Sequence, residues 1–167
     1  MRIINDKLRV YFCEYMVIIL DNIRSASNVG AIFRTADSLG VKQLYLCGIT
    51  AAPPNKEIQK TALGATESVN WSYHQATEEV IRHLLDNGFT VIGLEQTDNS
   101  IPLDTCSLPE TTEIALVVGN EVEGVQHQVL KLCSLIVEIP QKGIKKSLNV
   151  SVATGIAVWE LLKKQPY

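Results

Sequence analysis

The sequence predicts an α/β protein whose mostly parallel sheet is flanked by helices. Its strand-like segments are short, continuous apolar runs such as Tyr15–Leu20 and Ile114–Val118, a pattern typical of strands covered on both faces. Between such runs lie helical patterns, and in Ala76–Leu85 the apolar residues fall on one side of the helix. Strands that alternate with helices indicate parallel strands joined by helical crossovers.

Turn and cap residues delimit the predicted elements. Ser27 or Asn28 is expected to cap the first helix, and Gly40 to end it. Segment 97–112 is polar and interrupted by prolines, which predicts a loop with room for one helical turn. The predicted strands are Tyr15–Leu20, Gln43–Cys47, Val69–Tyr73, Thr90–Leu94, Ile114–Val118 and Leu135–Ile139, and the predicted helices end at Leu39 or span 55–62, 76–85, 125–132 and 150–164.

Composition restricts the class of protein. We expect residues 1–167 to form one domain, with residues 1–14 as a short N-terminal extension. The net charge of −3 argues against coating nucleic acid by bulk charge, although it allows a local basic patch. The apolar run Met16–Leu20 is too short to span a membrane, and no signal-peptide core precedes it. These observations predict a cytoplasmic protein without a membrane partner.

The cysteine and histidine spacings predict neither a metal site nor a disulfide framework. The 4 cysteines are widely separated and include no C-x-x-C pair, so we expect small buried apolar residues in a reducing compartment. The 3 histidines lie in separate segments and supply no cluster of ligands.

The first of three distinctive segments is Asn28–Val41. Gly30 lies near a helix start, where the missing side chain permits close backbone approach. Arg34 follows among apolar residues, and a guanidinium is seldom buried without partners. This pattern indicates either a functional arginine or an ordinary charged residue on the solvent-exposed face of the helix.

The second segment is Val117–Val125, in which a buried strand ends at Gly119. Glu121 and Glu123 follow before Gly124 ends the turn. Ligands bind at the carboxyl ends of parallel strands, so these carboxylates are candidates to pair with an arginine or to accept ribose hydroxyls. The alternative is a solvated acidic turn.

The third segment is Ile139–Trp159, which reads as a strand end, a basic loop and a helix of small residues. Ser147 and Asn149 are set among the apolar residues Leu148 and Val150, which predicts a loop held inside the protein beside a helix N-terminus. No G-x-G-x-x-G or P-loop pattern is present, which argues against an unrelated nucleotide-binding domain. None of the three segments contains a histidine, which disfavours a Ser-His pair.

Together the segments resemble the SpoU (TrmH-like) branch of the SPOUT superfamily of RNA 2′-O-methyltransferases. The motif N-x-G-x-x-x-R at Asn28, G-x-E-x-x-G at Gly119, and Ile139-Pro140 followed by Ser147-Leu148-Asn149 occur in the family's order. The likeness runs from Tyr15 to about Leu162 and includes the stretch 60–69. It implies a SPOUT-type sheet with a deep C-terminal trefoil knot, a topology that periodicity cannot indicate.

The resemblance also implies S-adenosylmethionine as the cofactor, bound in the knot. Ile139 and Leu148 would flank the adenine while backbone groups form its hydrogen bonds. Gln141 departs from the pattern, because the family often has methionine after the Ile-Pro pair. The implied cofactor-binding residues are Leu94, Glu95, Gly119, Asn120, Glu121, Gly124, Ile139, Gln141, Ser147, Leu148 and Asn149.

The family's catalytic site combines the first motif with the other two across a homodimer interface. We do not expect Arg34 to act as a base, because a guanidinium stays protonated. We instead expect Arg34 to bind the phosphate next to the target ribose and to polarise its 2′-hydroxyl. The implied catalytic residues are Asn28, Arg34, Glu121, Ser147 and Asn149.

The resemblance implies RNA, rather than DNA, as the substrate. The chain resembles the minimal tRNA-modifying members, which predicts tRNA ahead of rRNA. The alternative is an RNA-binding module that kept the fold and lost the activity. The predicted RNA-binding residues are Arg24, Arg34, Lys56, Lys60, Lys142, Lys145 and Lys146.

Overall fold

The structure is a computed structural model that describes residues 16–109 and 113–164. Within these residues, seven parallel strands form one sheet in the order β3-β2-β1-β6-β4-β7-β5. The strands are β1 (Met16–Asp21), β2 (Gln43–Cys47), β3 (Asn70–His74), β4 (Thr90–Leu94), β5 (Ile101–Pro102), β6 (Ile114–Val118) and β7 (Leu135–Glu138). The helices are α1 (Ala26–Leu39), α2 (Lys56–Ala62), α3 (Ala65–Ser68), α4 (Thr77–Asp86), α5 (His127–Leu130) and α6 (Val150–Lys163).

The central strands explain why their sequences are continuously apolar. Every residue of β1 and β6 is buried, because helices cover both faces of the sheet. On one face, side chains of α1 and α6 such as Phe33 and Leu161 pack in the same cluster as Ile18. On the other face, Ile81 of α4 packs with Val17. The predicted α/β class with a mostly parallel sheet is therefore confirmed.

Local caps set the ends of α1. The Ser25 hydroxyl accepts a hydrogen bond from Asn28 N at 3.3 Å, so Ser25 is the N-cap and the predicted caps, Ser27 and Asn28, are wrong. Gly40 adopts a left-handed conformation with φ 69° and ends the helix as predicted. Gly30 packs so closely on α2 that an added Cβ would collide with Thr61 and the Ile58 carbonyl. The close approach expected at Gly30 is therefore to another helix.

Strands β2, β4 and β6 have the predicted bounds, whereas the short elements differ. β3 and β7 are shifted or shortened by one residue, and Tyr15 lies outside the described residues. The loop predicted at 97–112 contains the two-residue strand β5, which a hydrophobic pattern is too short to reveal. The helix predicted at 125–132 is wrong in extent, since α5 covers only His127–Leu130.

The prediction of a buried loop after β7 is wrong. Residues 142–149 are all exposed, and Ile144 is 96% exposed. Within the described residues, the backbone of 141–148 forms no hydrogen bond. Apolar residues in a loop therefore did not indicate burial here, because no element in the described part of the chain covers them.

No helix in the described residues is long and apolar enough to cross a membrane. The same part of the chain holds no group of three or more histidine, cysteine, aspartate or glutamate residues arranged to bind a metal ion.

Candidate active site

A cleft of about 210 Å³ lies at the carboxyl ends of β4, β6 and β7. These three strands are neighbours in the sheet and all run parallel, so their ends meet at one edge. Ten of the eleven residues predicted to bind a cofactor line this cleft, and Asn149 does not. The ten are Leu94, Glu95, Gly119, Asn120, Glu121, Gly124, Ile139, Gln141, Ser147 and Leu148.

The turn from Asn120 to Gly124 is held by its own backbone and by Glu95. Asn120 N donates to Gly124 O at 3.0 Å, and Gly124 N donates to Asn120 O at 2.9 Å. Glu95 Oε2 accepts from Val125 N at 2.9 Å. A Cβ at Gly124 would collide with the Glu95 carboxylate, and Gly124 has φ 71°. Glu95 thus shapes the turn from within the cleft.

Glu121 joins the second motif to the start of α1. Its Oε2 accepts from Arg24 N at 2.9 Å, and its Oε1 accepts from Ser25 N at 3.0 Å and Asn28 Nδ2 at 2.9 Å. Partial burial raises the pKa of the Glu121 carboxyl, but hydrogen bonds from Arg24 N, Asn28 and Ser25 N outweigh it and leave this pKa below its ordinary value. Glu121 therefore acts as a charged acceptor that orders the first motif.

Asn28 and Asn149 join the first motif to the third. Asn149 Nδ2 donates to Asn28 Oδ1 at 3.0 Å. Asn149 Oδ1 caps α6 by accepting from Ser151 N at 2.9 Å and from Val152 N at 3.4 Å. One network of hydrogen bonds, Glu121–Asn28–Asn149, thus links the three motifs within a single chain. Asn28 thus contacts the other two motifs inside one protomer.

Ser147 lies on the exposed loop that closes one side of the cleft. Both Ser147 and Lys146 line the cleft and are exposed. Asn149 is the N-cap of α6 and fixes the end of this loop. Ser147 lies two residues before this cap. The Ser147 hydroxyl is consequently available to a ligand.

Arg34 lies outside the cleft. It is exposed on α1 and lines a separate open groove with Thr35, Ser38, Lys60 and Thr61. Asn28, which contacts the other motifs, lies in the first turn of α1. Arg34 lies six residues further along the same helix and is therefore separated from Asn28 by more than one turn. Within one chain, the structure therefore does not bring Arg34 together with Ser147 at the cleft.

The other predicted RNA-binding residues lie on the surface, three of them on the loop after β7. All of these cations are exposed, and Lys60 forms an ion pair with Glu57 at 2.6 Å. Lys146 lines the cleft. The exposed set is Arg24, Lys56, Lys60, Lys142, Lys145 and Lys146.

Two acidic residues at this edge of the sheet escaped the sequence analysis. Asp21 ends β1 fully buried, and its carboxylate accepts from Thr77 Oγ1 at 2.6 Å and from Gln126 N at 3.1 Å. Glu138 ends β7 and lines the cleft. In both cases the available signal was an acidic residue at the carboxyl end of an apolar strand.

An all-parallel α/β sheet with a polar cleft at its carboxyl edge is the architecture of a ligand-binding domain. The SpoU rRNA Methylase family matches residues 15–159 of this chain. The chain belongs to this family, and the resemblance found in its motifs is confirmed.

Relatives of known name are similar over most of this chain. The 23S rRNA (guanosine-2′-O-)-methyltransferase RlmB of Neisseria meningitidis serogroup B is 33% identical over 90% of this chain and 59% of the relative. The AdoMet-bound rRNA methyltransferase from Sinorhizobium meliloti is 28% identical, covers 93% of this chain and 59% of its own, and superposes with a TM-score of 0.83.

A third solved structure is similar over more of its own length. The A. aeolicus TrmH/SpoU tRNA modifying enzyme is 26% identical, with a TM-score of 0.81, over 95% of this chain and 81% of that one. By contrast, the chain spans 59% and 64% of the first curated relatives it matches.

Proposed function

We propose that this chain is an S-adenosylmethionine-dependent methyltransferase that modifies a ribose 2′-hydroxyl of RNA. The observation that carries the proposal is the hydrogen-bonded network Glu121–Asn28–Asn149 beside the cleft. The network gathers one residue of each family motif at the carboxyl edge of the sheet. Family membership and the AdoMet-bound structure of the Sinorhizobium relative support the cofactor.

The chemistry of the cleft fits S-adenosylmethionine. Leu94, Ile139 and Leu148 supply apolar surface for a flat adenine ring. The backbone of 141–148 forms no hydrogen bond within the described residues, so its N–H and C=O groups are open to the edge of a base. When bound, the cofactor supplies a sulfonium methyl group that is already activated for transfer.

With an activated donor, the task of the protein is to position the attacking hydroxyl. Asn28 and Asn149 fix each other at 3.0 Å, and Glu121 fixes Asn28 at 2.9 Å. The Ser147 hydroxyl, two residues before Asn149, is available to orient the ribose. We propose Asn28, Glu121, Ser147 and Asn149 as the part of the active site that one chain supplies.

We propose that a second copy of the chain supplies Arg34. Helix α6 exposes an apolar stripe at i, i+4 and i+7, with Val152 51%, Ile156 42% and Trp159 57% exposed. Leu161 of the same helix is fully buried in the core, so the exposed stripe is a separate face. A homodimer through this stripe would cover apolar surface and carry the Arg34 guanidinium of one copy towards the cleft of the other.

We further propose that residues 94–150 form the deep trefoil knot of the SPOUT fold. Family membership supports this, together with the crossover that inserts β7 between β4 and β5. A crystal structure traced through this segment tests the threading. An unthreaded segment would contradict the knot and leave the motif network in place.

We propose tRNA as the RNA class, acted on in the cytoplasm by a single catalytic domain. The A. aeolicus tRNA modifying enzyme supports it, because this chain covers 81% of that protein. Ribosomal RNA is the second candidate, supported by the 33% identity to the 23S rRNA methyltransferase RlmB. The exposed cations Lys142, Lys145 and Lys146 beside the cleft support an RNA of either class.

The deciding experiment incubates the protein with methyl-labelled S-adenosylmethionine and either total tRNA or ribosomal RNA. Mass spectrometry of the digested RNA then locates the label. We expect label on ribose 2′-oxygens with the wild-type chain and its loss with Asn28→Ala. Label on a base, or none in either RNA pool, contradicts the proposal.

An RNA-binding module without activity is the competing function, and the exposed Arg34 outside the cleft favours it. Calorimetric titration separates the two. A methyltransferase binds S-adenosylmethionine, whereas a module that only binds RNA has no need of it.

A further inference from the structure

Three carboxylates line the cleft, and two of them are saturated by the protein itself. Both oxygens of Glu121 accept from the start of α1, as described above. The two oxygens of Glu95 accept from Gln96 N and Val125 N, each at 2.9 Å. Neither residue has a carboxylate oxygen without a donor.

Glu138 is different, because only one of its oxygens is engaged. Its Oε2 lies 2.8 Å from the Ser100 hydroxyl, which donates to it. Its Oε1 has no hydrogen-bond partner within residues 16–109 and 113–164, and within those residues Glu138 forms no ion pair. The side chain is half-buried at the end of β7 and lines the cleft. This carboxylate, which lines the cleft, thus has one oxygen held by Ser100 and one oxygen without a partner in the described residues.

The charge of the cleft favours a cationic ligand. Its lining contains the three carboxylates and one ammonium group, that of Lys146. S-adenosylmethionine carries a sulfonium and an ammonium group against one carboxylate, so its net charge is complementary to this lining. Its polar hydrogen-bond donors include the ammonium group and the two ribose hydroxyls.

We propose that Glu138 is a cofactor-binding residue whose Oε1 accepts a hydrogen bond from the ammonium group or a ribose hydroxyl of S-adenosylmethionine. The inference rests on the proposed function, since it needs the cofactor in this cleft. None of the family motifs contains Glu138, which directly precedes the Ile139-Pro140 pair.

The test is calorimetric titration of S-adenosylmethionine into the wild-type chain, Glu138→Gln and Glu138→Ala. A hydrogen bond to a charged group corresponds to roughly a 10- to 100-fold change in Kd, so we expect both variants to bind that much more weakly. Ser100→Ala, which frees Oε2, should weaken binding by a smaller factor. Glu79→Gln is the matched control, because it removes one exposed carboxylate on α4 that does not line the cleft.

A second ligand identifies the donor. 5′-Methylthioadenosine keeps the ribose and lacks the amino acid part. A loss of affinity for it in Glu138→Gln assigns the bond to the ribose, whereas unchanged affinity assigns it to the ammonium group.

The outcomes separate this inference from the proposed function. Wild-type affinity for S-adenosylmethionine in a folded Glu138→Gln variant overturns the role of Glu138 and leaves the methyltransferase proposal standing. A wild-type chain that binds no S-adenosylmethionine overturns both. Circular dichroism and thermal unfolding of each variant establish that it is folded.

Discussion

The network around Glu121 and the loop 141–148 lie on two sides of the same cleft and differ in how their polar groups are satisfied. Glu121, Asn28 and Asn149 are joined by hydrogen bonds of 2.9 and 3.0 Å. In the loop, the backbone forms no hydrogen bond within the described residues, and Ile144 is 96% exposed. One side of the cleft is therefore preorganised by hydrogen bonds of the chain, whereas the backbone groups of the other side have no partner within the described residues.

The largest expected effect comes from breaking the preorganised side at Asn149. Asn149→Ala removes both the link to Asn28 and the cap of α6. Misplacing a reacting group by about 1 Å lowers the rate by roughly 100-fold, so we expect a loss of kcat of that order. Loss of the cap should also lower the free energy of unfolding by about 1 kcal/mol.

Asn149→Asp is the matched variant, because it keeps the capping oxygen and loses the Nδ2 donor. It should retain stability in chemical denaturation and still lose most of its methyl transfer. Equal activity of Asn149→Asp and the wild-type chain would show that the link to Asn28 is not needed.

The second effect concerns the proposed dimer. Trp159→Glu places a charge in the apolar stripe of α6, where Trp159 is 57% exposed. Interface hot spots contribute about 2 kcal/mol or more, so we expect the dimer Kd to rise by about 30-fold. Analytical ultracentrifugation measures it, and Ile49→Glu is the control because Ile49 is 64% exposed on the loop after β2. A wild-type chain that sediments as a monomer contradicts the dimer.

A third, smaller effect is expected at Arg34. Arg34→Lys keeps the charge and removes the planar fork that binds a phosphate at two points. Loss of one charge-assisted hydrogen bond predicts a fall in kcat/KM for RNA of about 10-fold, with the Kd for S-adenosylmethionine unchanged. Steady-state kinetics at constant cofactor measure the change. Unchanged turnover of Arg34→Lys would show that the planar guanidinium group is not required.

The smallest effect tests the charge that holds the network. The pKa of Glu121 is lowered in the folded chain, so its hydrogen bonds stabilise the fold at pH values above the unfolded pKa of this group. That contribution is lost as pH falls through the folded pKa. We expect the protection factors of the Arg24 and Ser25 amides, measured by NMR and corrected for the intrinsic pH dependence of exchange, to fall at acidic pH. Glu121→Gln should reduce this pH dependence. Exchange that is equally protected across this range would contradict the role of the charge.

Much of the fold followed from the sequence because it depends on local patterns. The bounds of β2, β4 and β6 were predicted correctly, since these strands are apolar runs between turn residues. Strand β5, at Ile101–Pro102, was not predicted because two residues carry no periodicity. Ser25 was missed as the cap because Ser27 and Asn28 are equally plausible cap residues by type.

The sequence also predicted the residues of the candidate site but not the contacts between them. Motif order alone drew attention to Asn28, Glu121 and Asn149, but not to their mutual contacts, because residues 121 positions apart meet only in three dimensions. Glu138 lies outside every motif, and its open oxygen is visible only from the bonds that its neighbours make.

The sequence by itself determined the parallel α/β class, the family and the motif residues, because hydrophobic periodicity and residue order are properties of the linear chain. Only the tertiary structure decided which side chains meet. It placed Asn28 on Glu121 and Asn149 within one protomer, left Arg34 exposed in a separate groove, and left residues 142–149 exposed. Hydrogen bonds and burial depend on the relative positions of distant strands, and no local pattern encodes those positions.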